Sequence, residues 1–158
     1  MKRVAAIALG SNLSSQWGDP AGNIREALRR VKELGEVRAV SSMYATAPVG
    51  YADQPEFTNA TLVLVTELEP MELMRALLGI ERAMGRDRSA AVPPKGPRII
   101  DLDLLLVDDV VLNTPELTLP HPEMARRRFV LEPLAEIAPE MRHPVLGETV
   151  AQMLAELG

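Results

Sequence analysis

The run Gly96-Pro97-Arg98-Ile99-Ile100-Asp101-Leu102-Asp103-Leu104-Leu105-Leu106-Val107 constrains the fold most, because it sets two carboxylates inside an otherwise apolar strand. Alternation along a strand predicts one face of Ile100, Leu102, Leu104 and Leu106, and a second face shared by Ile99, Asp101, Asp103, Leu105 and Val107. The first face reads as core. On the second, Asp101 and Asp103 stand one alternation apart, roughly 6–7 Å between their Cβ atoms at about 3.3 Å rise per residue. In a partly buried site an unpaired carboxylate would take up a proton, whereas a hard divalent cation would keep both ionised. Taken alone, an Asp-x-Asp pair more often marks a strand end meeting solvent. The neighbourhood argues otherwise: Lys95 and Arg98 precede it, Arg82, Arg86 and Arg88 lie earlier, and Arg126, Arg127 and Arg128 follow. Carboxylates holding a cation and ringed by guanidiniums describe a polyphosphate site, since magnesium uses one or two carboxylates plus substrate phosphates and arginine forks match phosphate oxygens.

Composition narrows the classes. At 158 residues, 47% apolar and 25% charged, the chain reads as one domain, 1–158, with a substantial core. A net charge of −5 argues against broad nucleic-acid binding, so the arginines matter as a local cluster. The apolar run Val4–Leu9 is too short for a signal-peptide core, and nothing suggests a membrane, so a cytoplasmic protein is the expectation; a monomer is expected as well. With no cysteine and only His121 and His143, thiolate catalysis and a cysteine- or histidine-rich metal site are excluded.

Taken in order, Arg3–Leu9 reads as a strand closed by Gly10-Ser11-Asn12. Asp19 is placed to cap a helix opening at Pro20 and stopping at Gly35. Val37–Tyr44 reads as a second strand, Ala45–Glu56 as a loop, and Phe57–Val65, apolar on both faces, as a central strand. Pro70 opens a second helix with Met71, Met74, Leu77, Leu78, Glu81 and Met84 near one side and Gly85 ending it. Glu81 is the odd member of that stripe, a boundary residue or a site residue. Arg86–Gly96 reads as a lid-like loop. Asp108-Asp109 suits a hairpin turn into Val110–Leu112, and Leu117–Leu119 a short strand. Arg127–Leu134 and Thr149–Leu157 read as helices, and His143 as exposed. Several strands are joined by connections too short for helical crossovers, which favours an antiparallel α+β layer.

In several ordered pieces the chain resembles the 6-hydroxymethyl-7,8-dihydropterin pyrophosphokinases of folate biosynthesis, nearly end to end. The pieces are Ala8–Asn12, Tyr44–Gly50, Asp53–Ala60, Ile80-Glu81 with Gly85–Arg88, Gly96–Arg98 with Asp101-Leu102-Asp103, Pro120-His121-Pro122, and Arg127–Leu131. The resemblance implies a ferredoxin-like plait, with a mainly antiparallel sheet and helices packed on it. It implies diphosphate transfer from ATP to a pterin alcohol, giving AMP. Asp101 and Asp103 would hold two magnesium ions. Arg86 and Arg98 would serve catalysis and, with Glu81, Arg88, His121 and Arg127, the nucleotide. Asn59 would read the pterin edge, Phe57 and Phe129 would stack on its faces, and Thr46, Pro48 and Val49 would supply walls. Lys95 stands where many members carry an aromatic residue. No Gly-x-x-x-x-Gly-Lys loop is present, so metal and arginine would hold the phosphates.

The chemistry of the residues agrees, because attack of an alcohol on phosphorus needs positioning and charge neutralisation more than a protein nucleophile. Two other readings compete with this one. A glycosyltransferase using Asp-x-Asp for a sugar nucleotide leaves the two phenylalanines unexplained. A non-catalytic ferredoxin-like binding module would turn over no ATP.

Overall fold

The computed structural model describes residues 1–46, 55–85 and 98–157. Strand β1 (Arg3–Ser11) leads into helix α1 (Pro20–Val31), extended by a short 3-10 turn, then β2 (Glu36–Val40), β3 (Tyr44–Thr46) and β4 (Phe57–Thr66). Helix α2 (Pro70–Ala83) leads into β5 (Asp101–Val107), the small strands β6 (Leu112–Asn113) and β7 (Thr118–Leu119), and helices α3 (Arg128–Ile137) and α4 (Val150–Glu156).

The main sheet runs β2-β4-β1-β5 with every neighbour antiparallel, and β3 pairs with the first residues of β4 beyond the end of β2. Two units, β1-α1-β2 and β4-α2-β5, each step over one intervening strand, which is the ferredoxin-like plait. Their helices share one face. There Ile24, Ala27 and Val31 of α1 and Leu73 and Leu77 of α2 pack on Ile7, Leu9, Leu62, Leu64, Leu102 and Leu104. On the opposite face α3 and α4 bring Val130, Leu131, Leu134, Val150 and Met153 against Ala6, Leu105 and Leu106. Covering on both sides explains why β4 is buried from Asn59 to Thr66, as apolar residues on both of its faces predict.

Helix starts follow local chemistry. The Asp19 carboxylate accepts from the Gly22 amide at 2.9 Å ahead of Pro20. Glu69 with Glu72, and Thr149 with Gln152, form reciprocal capping boxes for α2 and α4.

Four readings of local structure need correction. Strict alternation fails in β5: Ala6 pairs with Leu106 but Ile7 pairs with Leu104, so Leu105 is an extra residue. The bulge turns Leu105 and Leu106 to the α3 face and Val107 to the α1–α2 face, opposite to the expected faces of Leu106 and Val107. The Leu105 carbonyl accepts from the His121 amide at 2.9 Å. Second, Val37–Tyr44 is two strands, because both lie along β4 and the chain must shift between them; Ser41 there exchanges hydrogen bonds with Thr61. Third, the turn at Asp108-Asp109 forms, with Asp108 at φ 47°, but the strand after it pairs with β7 and not with β5. Fourth, His143 is buried, its Nδ1 accepting from the amides of Val145 and Leu146.

Candidate active site

A cleft opens on the α3 face where the end of β1 meets the starts of β4 and β5. Gly10 and Ala8 form its floor, and the walls include Thr46, Phe57, Asn59, Arg98, Asp101, Asp103, Arg127 and Phe129. Antiparallel register assembles these residues from distant positions: Gly10 lies opposite Asn59 on one side and Asp101 on the other, and Ala8 lies opposite Asp103. Small residues on β1 make the space. A Cβ on Gly10 would stand 3.2 Å from Asn59 Oδ1 and 3.9 Å from Phe57 Cδ1.

At one end Phe57 from β4 and Phe129 from α3 present their rings. The Asn59 amide donates to Thr46 Oγ1 at 2.5 Å, which fixes the orientation of a buried side chain able both to donate and to accept. An arginine lies against each ring, with Arg98 Cζ 5.6 Å from the Phe57 centroid and Arg127 Cζ 5.5 Å from that of Phe129. At the other end Asp101 and Asp103 are half-buried, and Arg98 donates to Asp101 at 2.8 Å. Among the described residues no three His, Cys, Asp or Glu side chains gather as a metal-holding group. Two carboxylates one alternation apart suit a cation that brings further ligands with it, as magnesium does with phosphate oxygens.

His121 is half-buried, with Nδ1 accepting from the Glu123 amide at 3.1 Å. Burial, and then the nearby Arg127 guanidinium, hold its pKa below the usual 6.5. Of the arginines expected around the aspartates, Arg98 and Arg127 line the cleft, whereas Arg126 pairs with Glu123 and Arg128 with Glu132. Pro48, Val49, Arg86, Arg88 and Lys95, and the lid reading of Arg86–Gly96, lie outside the described residues. Glu81 does not line the cleft. It is buried behind β5, its carboxylate accepting from the Leu102 amide at 2.6 Å.

One residue that the sequence flagged only as part of a motif organises the cleft. Asn12, buried, donates from Nδ2 to the Pro55 carbonyl at 3.1 Å and accepts at Oδ1 from the Arg98 amide at 2.9 Å. Its own amide donates to the Arg98 carbonyl at 3.1 Å. Asn12 thus ties the approaches to β4 and β5 to the end of β1. The available signal was a polar amide directly after a buried strand, where an unpaired group would be costly.

Residues 6–139 match the family model described as 7,8-dihydro-6-hydroxymethylpterin-pyrophosphokinase (HPPK). The chain is 43% identical over 151 residues to the 2-amino-4-hydroxy-6-hydroxymethyldihydropteridine pyrophosphokinase of Pseudomonas aeruginosa, covering 94% of this chain and 88% of that protein. It is 41% identical over 143 residues to the enzyme of the same name from Bacillus subtilis, covering 89% and 81%. It is also 36% identical to the Folic acid synthesis protein fol1 of Schizosaccharomyces pombe, spanning 20% of that longer protein. Among solved structures, HPPK-DHPS of Plasmodium falciparum superposes with a TM-score of 0.76 over 99% of this chain and 43% of that one, at 17% identity.

Proposed function

The chain belongs to the 7,8-dihydro-6-hydroxymethylpterin-pyrophosphokinase family, and on that footing we propose how its cleft divides the work of moving a diphosphate from ATP to the pterin alcohol. The observation that carries the division is the cleft itself: one space joins an aromatic slot with a fixed amide to a carboxylate pair flanked by arginine. A flat heterocycle fits between Phe57 and Phe129, with Asn59 meeting its polar edge and Thr46 holding the Asn59 amide. Stacking there takes the place of the guanidiniums now lying on the rings, and Arg98 and Arg127 turn to the phosphates. Pro48 and Val49 are assigned to the pterin wall, and Arg86, Arg88 and His121 to the nucleotide, on the family resemblance. Glu81 serves the nucleotide side indirectly, through the strand that it holds.

In the transfer, the hydroxymethyl oxygen forms a bond to the β-phosphorus of ATP, the bond from that phosphorus to the oxygen bridging it to the α-phosphorus breaks, and AMP departs. The hydroxyl proton is released to water. Asp101 and Asp103 would hold the magnesium that enters with ATP, two ions in this reading, and it would supply charge neutralisation at the phosphates. Arg98, turned from Asp101 to the phosphates, neutralises the charge developing on the transferred group. The domain is read as a cytoplasmic monomer, which light scattering of the purified chain checks. Calorimetry tests the division of the cleft: the pterin alcohol and a non-hydrolysable ATP analogue with magnesium are expected to bind together. Mutual exclusion would contradict it.

A further inference from the structure

Glu81 is a buried carboxylate that the transfer itself does not use. It sits in the last turn of α2, on the sheet face away from the cleft, among Leu77, Met84, Ile100 and Leu102. Burying a carboxylate in such surroundings is costly unless it makes specific hydrogen bonds. One such bond is short: Oε2 accepts from the amide of Leu102, the residue between the two aspartates, at 2.6 Å.

Among the described residues β5 is the edge of the main sheet. On its inner side β1 sets the register, with Asp101 opposite Gly10 and Asp103 opposite Ala8. Along an edge strand alternate residues turn their amides away from the sheet, where no ladder partner waits. Without Glu81 the outer amide between the aspartates would be buried and unsatisfied, or would have to twist to find water. Helix α2 thus reaches over the edge and fixes the backbone of the Asp-x-Asp segment from outside, while β1 fixes it from inside. We propose that Glu81 is a positioning residue for the Asp101/Asp103 pair, setting the spacing of the two carboxylates before a cation arrives, through its bond to the Leu102 amide.

The proposal rests on reading the aspartates as the cation ligands, and the test separates the two. Reach, not charge, is what Glu81 contributes. Glu81→Gln keeps an acceptor oxygen at the same length, Glu81→Asp keeps the charge but falls short, and Glu81→Leu fills the space with no acceptor. Each variant is titrated with magnesium in two ways: by calorimetry with a non-hydrolysable ATP analogue, and by turnover. For Glu81→Asp and Glu81→Leu the magnesium midpoint should rise about tenfold, at the lower end of what losing an outer partner of a metal ligand costs. Glu81→Gln should stay near the parent, and nucleotide affinity at saturating magnesium should be unchanged in all three. Glu81→Asp, the mildest change, keeps the comparison available where Glu81→Leu does not fold. A magnesium midpoint equal to the parent's in folded Glu81→Asp would overturn the positioning role, leaving a purely structural one. Loss of nucleotide affinity at saturating magnesium would overturn it in favour of direct nucleotide contact. Magnesium dependence unchanged in Asp101→Ala and Asp103→Ala would remove the cation reading and the positioning role with it.

Discussion

Asp101 and Asp103 gather the chemistry of the cleft, and their environment sets what removing them should do. Both are half-buried and stand outside the two apolar clusters. Replacing either by Ala should lower turnover at least about a hundredfold, the scale of losing one preorganised electrostatic contact, while the cooperative unfolding transition is kept. Steady-state rates beside thermal melts check this, and near-normal turnover in both variants would be the contrary result. Phe57→Ala and Phe129→Ala should weaken the pterin by about 0.5–1.5 kcal/mol beyond the apolar area lost and spare the ATP analogue, as calorimetry on each ligand would read. Gly10→Ala should raise the KM for the pterin while leaving that for ATP, because its methyl would crowd Asn59 Oδ1 at 3.2 Å; equal changes in both would point to a general distortion of β1. At this scale the types of the cleft residues were legible, and the partners that orient them were not. Asp101 and Asp103 stand out by type and pattern, and Phe57, Asn59 and Phe129 through the family resemblance. What Asn12 and Glu81 hold depends on which backbone groups the fold leaves at an edge, and no local pattern records that. The arginine triplet shows the same limit, since Arg126 and Arg128 are drawn to Glu123 and Glu132 and only Arg127 lines the cleft.

Elements were read best where one strong period decides. Helix α1, with Asp19 and Pro20 at its start, and β4, apolar on both faces, follow from sequence alone. Helix α2 was found, and Leu77, Glu81 and Met84 of its expected stripe are buried, but Leu73 was missed and Leu78 is only half-buried. The bulge at Leu105 was hidden, because a leucine run satisfies either face and only pairing with β1 shows where alternation skips. The turn before α4 also escaped: His143 is buried there, its Nδ1 accepting from the amides of Val145 and Leu146. That burial has a consequence for pH. His143 and His121 both have pKa values held below 6.5, each chiefly by burial. A histidine depressed on folding contributes stability that is present above its unfolded pKa and lost as pH falls, because the unfolded chain takes up the proton first. Urea midpoints should therefore fall as pH drops below about 6.5, and fall less steeply in His143→Asn. A midpoint flat from pH 7.5 to pH 5 would contradict the burial argument.

For the molecule as a whole, the plait explains why a site can form at one end of the sheet. Two crossover helices cover one face, α3 and α4 cover part of the other, and the uncovered end of β1, floored by Ala8 and Gly10, becomes the cleft. Antiparallel order was legible from the short connections, and the match across residues 6–139 agrees with the ordered pieces seen in the sequence. The chain aligns with 20% of a fungal folate-synthesis protein and superposes on 43% of the HPPK-DHPS chain. A diphosphate moved as one unit leaves a distinct pair of products. The decisive measurement is product analysis after mixing the protein with magnesium, ATP and 6-hydroxymethyl-7,8-dihydropterin, following phosphorus resonances and nucleotides together. AMP and pterin diphosphate are expected in equal amounts, with neither formed when the pterin is omitted. ADP with a pterin monophosphate, or ATP left intact in the complete mixture, would contradict transfer of a diphosphate as one unit.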